Sequence, residues 1–166
     1  MPTVYGTVEG FREYCDLRGI ILPAESIDDD DVSSWLLIAS EWLDHGYSDV
    51  FPGAKVLGRM QEREWPRRLA RDRHGFDISD IIPHEVDYAT YEAAAIQAVS
   101  PGSLSVNYTP SKYKSLSVDG AVSIEFKDFD SAVEAQTDFL KIRQILAPIF
   151  AVQHVPHNAS GSSFRV

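Results

Sequence analysis

The sequence predicts a mainly α-helical domain of the α+β class, a bundle of about four helices with a small β-hairpin between the third and fourth. Apolar residues recur at helical spacing in four segments. An alternating apolar and polar pattern with an Asp-Gly turn signal follows the third of these segments. With 166 residues, 44% of them hydrophobic and 24% charged, the chain is long enough for one hydrophobic core and too short for two full domains.

The first helix is predicted from its two ends. Thr7 is suited to cap a helix that runs to about Leu17, because its hydroxyl can accept a hydrogen bond from an exposed backbone N–H group. Gly19 follows at the position where a left-handed C-terminal cap is favoured. These signals predict a short helix near the start of the chain.

The second helix is predicted from about Asp31 to His45, with Gly46 at its end. The acidic residues before it complement the exposed N–H groups of its first turn. Its apolar residues form one broad stripe, which indicates one face packed against the rest of the domain. The predicted core residues are Trp35, Leu36, Trp42 and Leu43.

The segment between the second and third helices is predicted to be mostly irregular. Phe51-Pro52-Gly53 signals a turn. Residues 60–64 are expected to form one helical turn that Trp65-Pro66 interrupts, because the residue before a proline is pushed out of the helical region. Residues 73–76 are expected to form a loop.

The third helix is predicted to begin at Pro83, which favours the first helical position, and to run to about Val99. Pro101-Gly102 would stop it. Its small residues would allow a neighbouring helix to approach closely; they are Ala89, Ala93, Ala94, Ala95 and Ala98.

The hairpin is predicted at about residues 104–127, with Asp119-Gly120 in its turn and Val118 paired with Val122 around a three-residue loop. A final helix is predicted from Asp130 or Ser131 to about Leu146. Residues 1–152 would form the single domain, and 153–166 a polar C-terminal tail that partners order. The candidates for burial on the final helix are Val133, Phe139, Leu140, Ile142 and Leu146.

Charge is unevenly distributed along the chain. The net charge is −10, but the segment from Lys55 to Arg73 holds seven cations and three acids, which gives +4 there and −14 over the other 147 residues. Such a segment could contact acidic surface on another copy of the chain, or it could be a solvated, salt-bridged helix. The candidate interface residues in it are Arg63, Arg67, Arg68 and Arg71.

Catalytic and metal-binding patterns are absent from the sequence. The five histidines do not lie at metal-ligand spacings, and there is neither a glycine-rich phosphate loop nor a Gly-x-Ser-x-Gly elbow. Cys15 has no cysteine partner and no nearby histidine, so we expect an unreactive thiol. The longest apolar stretch, from Ile145 to Val152, is too short to span a membrane. We therefore expect a soluble protein that is not an enzyme and has no cofactor and no metal.

Single-stranded DNA is an alternative ligand for the cationic segment. That segment contains Trp65, and a cationic track with aromatic side chains is typical of single-strand binding. Against this, one tryptophan beside a proline is a poor stacking platform, and the acidic remainder of the chain repels phosphates.

Five short motifs, in order from Tyr5 to Phe150, resemble a family of tailed-phage proteins often labelled DnaT-like single-stranded-DNA-binding proteins, which look like head–tail connectors of the adaptor type. The most specific motif joins Gln61 to Trp65, Pro66 and Arg67. The chain departs from the family pattern in its longer basic cluster up to Arg73 and its longer polar stretch from residue 101 to 115. The other motifs are Tyr5 with Val8-Glu9, Tyr14 and Arg18-Gly19; Leu37 to Asp44 with Tyr47 and Gly53; Ile82-Pro83 with Glu85-Val86, Ala89 and Glu92 to Ala94; and Lys114 to Phe126.

The resemblance to adaptors implies a virion protein of the phage neck, present in the host cytoplasm before assembly. Its partners would be further copies of itself in a ring of about twelve, the portal protein, and tail or tail-terminator (nozzle) proteins. Double-stranded DNA would pass through the ring without sequence-specific binding, and no membrane would be involved. The DnaT-like label implies instead a primosomal accessory protein that binds single-stranded DNA. The residues expected at the subunit or portal interface are Arg63, Arg67, Arg68, Arg71, Asp119 and Gly120.

Overall fold

The computed structural model describes residues 4–23, 27–104 and 139–151. These residues form four α-helices and one antiparallel pair of short strands, which confirms the predicted mainly α class. Ala54 pairs with Arg68 and Lys55 with Arg67. The elements in chain order are α1 (Val8–Arg18), α2 (Asp29–Tyr47), β1 (Ala54–Lys55), a 3₁₀ helix (Gly58–Met60), β2 (Arg67–Arg68), α3 (His84–Val99), α4 (Leu140–Leu146) and a 3₁₀ helix (Ala147–Ile149).

The first helix has the ends that the sequence predicts. The Thr7 side chain accepts a hydrogen bond from the Gly10 N–H group at 3.0 Å, and Gly19 is left-handed with a φ of 62°. The second helix is longer at both ends than predicted. The Asp28 side chain caps it, and Gly46 lies inside it rather than at its end. Glycine costs an α-helix only about 1 kcal/mol, and packing of Tyr47 against the Phe150 ring favours the additional turn.

The third helix lies at the centre of the described fold and packs against α1, α2 and α4. The predicted alanine-rich surface is buried, which lets the neighbouring helices approach closely. Pro83 is the residue immediately before the helix rather than its first residue. Buried alanines of α3 are Ala89, Ala93, Ala94, Ala95 and Ala98.

The predicted core residues of α2 divide into two pairs. Leu36 and Leu43 are fully buried, as predicted. Trp35 and Trp42 are only partly buried and pack at the edge of the core, where Trp35 meets Phe11 edge to face. The fully buried tryptophan is Trp65, which the sequence predicts to lie in an irregular segment.

The last helix confirms part of its prediction and corrects another part. Ile142 and Leu146 are buried one turn apart, as predicted. Leu140 is 61% exposed, so its predicted burial is wrong: it is the first residue of α4 and lies outside the stripe that faces α3. The predicted start of this helix, Val133, the hairpin at 104–127 beyond Leu104 and the tail lie outside the described residues. Among the described helices, none has both the length and the hydropathy that a bilayer crossing requires.

Candidate binding surface

The connection between α2 and α3, residues 48–83, forms a loop module that contains the cationic segment. Its strands β1 and β2 pair at its base. Beyond β2 the chain makes a tight hairpin over residues 71–77, here called the cationic hairpin, in which Arg71 and Asp77 form a β-bridge. The Asp72 carboxylate accepts hydrogen bonds from the N–H groups of His74 and Phe76, each at 2.8 Å. These bonds stabilise the turn of the hairpin.

The inner side of the module is anchored to α2 through Asp44. The Tyr5 hydroxyl donates a hydrogen bond to the Asp44 carboxylate at 2.6 Å, and the Arg63 guanidinium lies 3.3 Å from the other oxygen. The same Tyr5 hydroxyl accepts a hydrogen bond from the Trp65 N–H group at 3.0 Å. The N-terminal segment, α2 and the loop module therefore meet at one buried carboxylate.

Burial is the largest influence on the pKa values of Asp44 and Tyr5. Desolvation raises the pKa of Asp44 above its ordinary value of 3.8, although the Tyr5 hydrogen bond and the Arg63 charge act in the opposite direction. Desolvation, and then the neighbouring Asp44 charge, strongly raise the pKa of Tyr5. Tyr5 is therefore protonated at neutral pH and is the hydrogen-bond donor of the pair.

The motif Gln61…Trp65-Pro66-Arg67 holds the module's backbone together. The Gln61 side-chain amide donates to the carbonyl groups of Arg63 and Pro66, both at 2.9 Å. Arg67 donates to the carbonyl groups of Pro52 at 2.7 Å and Gly53 at 2.9 Å, and it forms an ion pair with Glu64. The Trp65–Pro66 peptide bond is cis. The most specific sequence motif of the chain is thus a structural motif.

The outer side of the module is cationic and apolar. Arg68, Arg71 and Arg73 are exposed on β2 and the cationic hairpin, together with Arg59 on the 3₁₀ helix. Of the eleven exposed large hydrophobic residues in the described part of the chain, five lie in this module: Leu57, Met60, Leu69, Phe76 and Ile81.

Two of these apolar side chains stand out by position. Phe76, at 70% exposure, belongs to the cationic hairpin, where it follows Arg71 and Arg73 in the chain and is next to Gly75. Leu69 is 86% exposed and has a φ of 55°, in the left-handed region that L-residues other than glycine and asparagine rarely adopt. Unfavourable backbone combined with an exposed apolar side chain is typical of a binding surface.

The structure separates the predicted interface residues into two groups. Arg63 and Arg67 are buried, and their guanidinium groups contact carboxylates and carbonyl groups of the same chain. Arg68 and Arg71 are exposed on the outer side. Asp119 and Gly120 lie outside the described residues.

Phe76 and Leu69 are not predicted from the sequence as surface residues of the module. The one local signal is the turn from Asp72 to Gly75, which joins the bridged residues Arg71 and Asp77. A turn at this position favours exposure of Phe76.

Other chemistry is not visible in the described part of the chain. No group of three His, Cys, Asp or Glu residues there could hold a metal ion. Cys15 is buried, and burial raises the pKa of its thiol to about 11. A thiol with so high a pKa carries little nucleophilic thiolate at neutral pH.

The fold and this surface define a small, mainly α-helical protein whose loop module is cationic and apolar on its outer side. The chain belongs to the family described as "Putative DnaT-like ssDNA binding protein", whose model matches residues 4–166. This match confirms the DnaT-like part of the resemblance and not the head–tail connector part. The family description agrees with the single-stranded-DNA alternative better than with the connector interpretation. Neither a curated protein nor a solved structure matches the chain.

Proposed function

We propose that this protein binds single-stranded DNA on the outer side of the loop module, with bases stacked on Phe76 and phosphates held by Arg68, Arg71 and Arg73. The observation that carries the proposal is an exposed phenyl ring on a hydrogen-bonded hairpin that also exposes Arg71 and Arg73. The family description supports the same ligand.

The chemistry of the surface suits a ligand of no defined sequence. Every base has a π-face, so stacking on an aromatic ring tolerates any base and contributes about 1–3 kcal/mol per base. Arginine contributes charge toward the phosphates. The hairpin is already fixed by the bonds from Asp72 to two backbone N–H groups, so little conformational entropy is lost on binding. Trp65 takes no part in stacking because it is fully buried.

The acidic remainder of the chain limits the affinity and makes it depend on salt. With a net charge of −10, the protein repels phosphates everywhere except near its cationic surfaces. Neutralising three phosphates on a single strand gives a slope of log K against log salt of about −2, from roughly −0.7 per phosphate. We therefore expect binding that is measurable at low salt and weak at physiological salt.

A titration of fluorescently labelled oligo-dT at about 50 mM salt tests the proposal. We expect saturable binding by the wild-type chain and a loss of about 1–3 kcal/mol in Phe76→Ala, while Phe76→Trp retains binding. Leu140→Ala is the matched control, because Leu140 is also an exposed apolar residue but lies on α4. Absence of saturable binding by the wild-type chain at this salt concentration would rule the proposal out.

A second candidate function is the structural head–tail connector of a phage virion. The observation that favours it is the aliphatic character of the same surface: Leu57, Met60, Leu69 and Ile81 cannot stack on bases. Arginine and methionine are enriched in protein–protein interfaces, and the apolar centre of such interfaces accommodates aliphatic side chains. In this candidate the outer arginines contact a neighbouring subunit of a ring of about twelve copies or the portal protein. Tail proteins would attach to the ring, and duplex DNA would pass an acidic wall that offers few counterion-releasing contacts.

The variant Leu69→Asp separates the two candidates. It replaces one exposed aliphatic side chain of the loop module by a charged one and leaves Phe76 intact. If the protein acts on single-stranded DNA, the affinity for oligo-dT should fall by less than the loss in Phe76→Ala. If the protein is a connector, particles carrying Leu69→Asp should show full heads without tails by negative-stain imaging. Particles that lack the protein altogether and still have normal necks would exclude the connector function.

A further inference from the structure

We infer that Arg18, His84 and Tyr88 form a second stacking subsite for the same DNA strand, where the last turn of α1 meets the first turns of α3. This inference rests on the proposed single-stranded-DNA function. It extends the binding surface from the outer side of the loop module onto the helical part of the protein.

The subsite belongs to a cluster of two side chains from each helix, here called the α1–α3 cluster. Tyr14 and Arg18 lie one turn apart on α1, and His84 and Tyr88 lie one turn apart on α3. The centroids of the Tyr14 and Tyr88 rings are 5.7 Å apart. The His84 ring is stacked on that of Tyr88, with centroids 6.4 Å apart and 26° between the ring planes. Three rings and one guanidinium group therefore lie together.

Three members of the α1–α3 cluster are accessible to a ligand. Tyr88 is 45% exposed, and Arg18 and His84 are also exposed, whereas Tyr14 is buried. Unpaired bases stack on tyrosine and histidine rings and on the planes of arginine guanidinium groups. The accessible members therefore offer the kinds of surface on which the bases of a single strand stack.

Arg18 keeps its charge for a ligand. Its guanidinium carbon lies 3.7 Å from the centre of the Tyr14 ring and 5.5 Å from that of the Tyr88 ring, and it forms no salt bridge with any described residue. Arg12, on the same helix, instead forms a salt bridge with Asp29 at 2.8 Å. A guanidinium group held against aromatic rings is oriented without being neutralised, so it can contact a phosphate.

The carboxylate of Glu92, which contacts the cluster, is already paired. The Tyr14 hydroxyl donates a hydrogen bond to one of its oxygens at 2.9 Å, and the Lys141 ammonium group lies 2.7 Å from the other. Glu92 is also buried. Its repulsion of a phosphate beside Arg18 is therefore largely cancelled by Lys141.

The α1–α3 cluster lies within reach of a strand that is bound to the loop module. The Asp80 N–H group donates a hydrogen bond to the Arg67 carbonyl at 2.8 Å, which holds Asp80 against β2, the strand that also contains Arg68. His84 is four residues after Asp80. The backbones of these two residues are therefore at most about 14 Å apart, at roughly 3.3–3.6 Å per residue. At about 3.4 Å per nucleotide, that distance corresponds to about four nucleotides of a stacked strand.

The test uses the full chain and a labelled oligo-dT of about 15 nucleotides at about 50 mM salt, long enough to contact the cationic hairpin and the α1–α3 cluster together. The variant His84→Ala removes an exposed ring, and Arg18→Gln removes the cation. Arg12→Gln is the matched control, because it removes a positive charge from the same helix that Asp29 already neutralises. Thermal unfolding of each variant checks that the helices remain folded.

We expect His84→Ala to weaken binding about fivefold or more, as for the loss of one stacked base. Arg18→Gln should also weaken binding, and it should reduce the slope of log K against log salt by about 0.7, the contribution of one phosphate contact. Arg12→Gln should change neither the affinity nor the slope.

Photocrosslinking with the same oligonucleotide carrying iododeoxyuridine gives a second and direct measurement. Adducts on His84 or Tyr88, located by mass spectrometry of proteolytic peptides, are expected together with adducts on Phe76. If His84→Ala and Arg18→Gln bind as tightly as Arg12→Gln and all adducts lie in the loop module, the second subsite is refuted and the hairpin site stands. Absence of saturable binding by the wild-type chain would refute both.

Discussion

The inner and outer sides of the loop module both contain arginine side chains, which are buried and paired on the inner side and exposed on the outer side. Arg63 and Arg67 are buried, and carboxylates and carbonyl groups of the chain itself occupy their guanidinium groups. Arg68 and Arg71, one and four residues after Arg67, are exposed. Counting cations in a sequence segment therefore overstates its binding surface. The relevant quantity is the number of cations that do not already contact carboxylates or carbonyl groups of the same chain.

The largest expected effect comes from breaking the inner side. Arg63→Met removes the cation that faces Asp44 and leaves that carboxylate buried beside a neutral side chain. Removing one partner of a buried ion pair costs about 3–5 kcal/mol of unfolding free energy. Urea denaturation followed by circular dichroism measures this loss. Arg71→Met, the same substitution on the exposed side, should shift the midpoint little, and equal losses in the two variants would refute the distinction between the two sides.

Two glycines test the same distinction through the backbone. Gly53 on the inner side has a φ of 71°, and an added Cβ atom would lie 2.3 Å from the Arg68 carbonyl oxygen. Gly75 on the outer side has a φ of 89°, with open space around an added Cβ atom. Both alanine variants bear the left-handed backbone cost of about 1–2 kcal/mol. Gly53→Ala should lose about 1–3 kcal/mol more because the backbone must shift.

Thermal or urea unfolding of the two glycine variants gives the comparison directly. A Gly75→Ala variant as unstable as Gly53→Ala would mean that the hairpin is packed against something the described residues do not include.

The sequence predicts the helical part of this fold well, because the signals are local. The Thr7 cap, the Gly19 cap and the alanines of α3 lie within a few residues of the structure they determine. Leu36 and Leu43 follow from the periodicity of one helix. The predicted burial of Leu140 is wrong because periodicity alone does not say at which residue a helix begins.

The loop module could not be predicted in the same way, because its residues are held by distant partners. Trp65 is bound through its backbone to Tyr5, sixty positions earlier in the chain, and Arg63 faces Asp44, nineteen positions earlier. No local pattern indicates such pairings, so the buried and exposed arginines look alike in the sequence. The motif containing Gln61 and Arg67 was found by resemblance, and its structural role became visible only through its hydrogen bonds.

The contributions of Asp44, on the inner side, and Asp77, on the outer side, to the free energy of unfolding should change with pH in opposite directions. Burial raises the folded-state pKa of Asp44, so its contribution is present at low pH and is lost as pH rises from its ordinary value of 3.8 through the folded-state pKa. Hydrogen bonds from Ser79 lower the folded-state pKa of the exposed Asp77, so its contribution is present above 3.8 and is lost as pH falls through the folded-state pKa.

Urea denaturation between about pH 3 and pH 7 measures both contributions against Asp44→Asn and Asp77→Asn. The stability of the wild type relative to Asp44→Asn should decrease with rising pH. The stability relative to Asp77→Asn should increase with rising pH over the acid range. The same sign for both differences would show that burial does not control the titration of Asp44.

The smallest effect on stability, and the one most informative about function, is expected at Arg68. Among the described residues Arg68 has no ion-pair partner, whereas Lys55, on the strand paired with that of Arg68, lies 2.9 Å from Glu64. Arg68→Gln should leave the unfolding midpoint unchanged and reduce the salt slope of oligo-dT binding by about 0.7, the contribution of one phosphate contact on a single strand. Lys55→Gln should leave that slope unchanged, because the Lys55 charge is already neutralised by Glu64. If the two variants change the slope equally, the cations of this module attract DNA through their summed charge rather than through individual contacts. The distinction between buried and exposed arginines would then not predict which cations bind DNA.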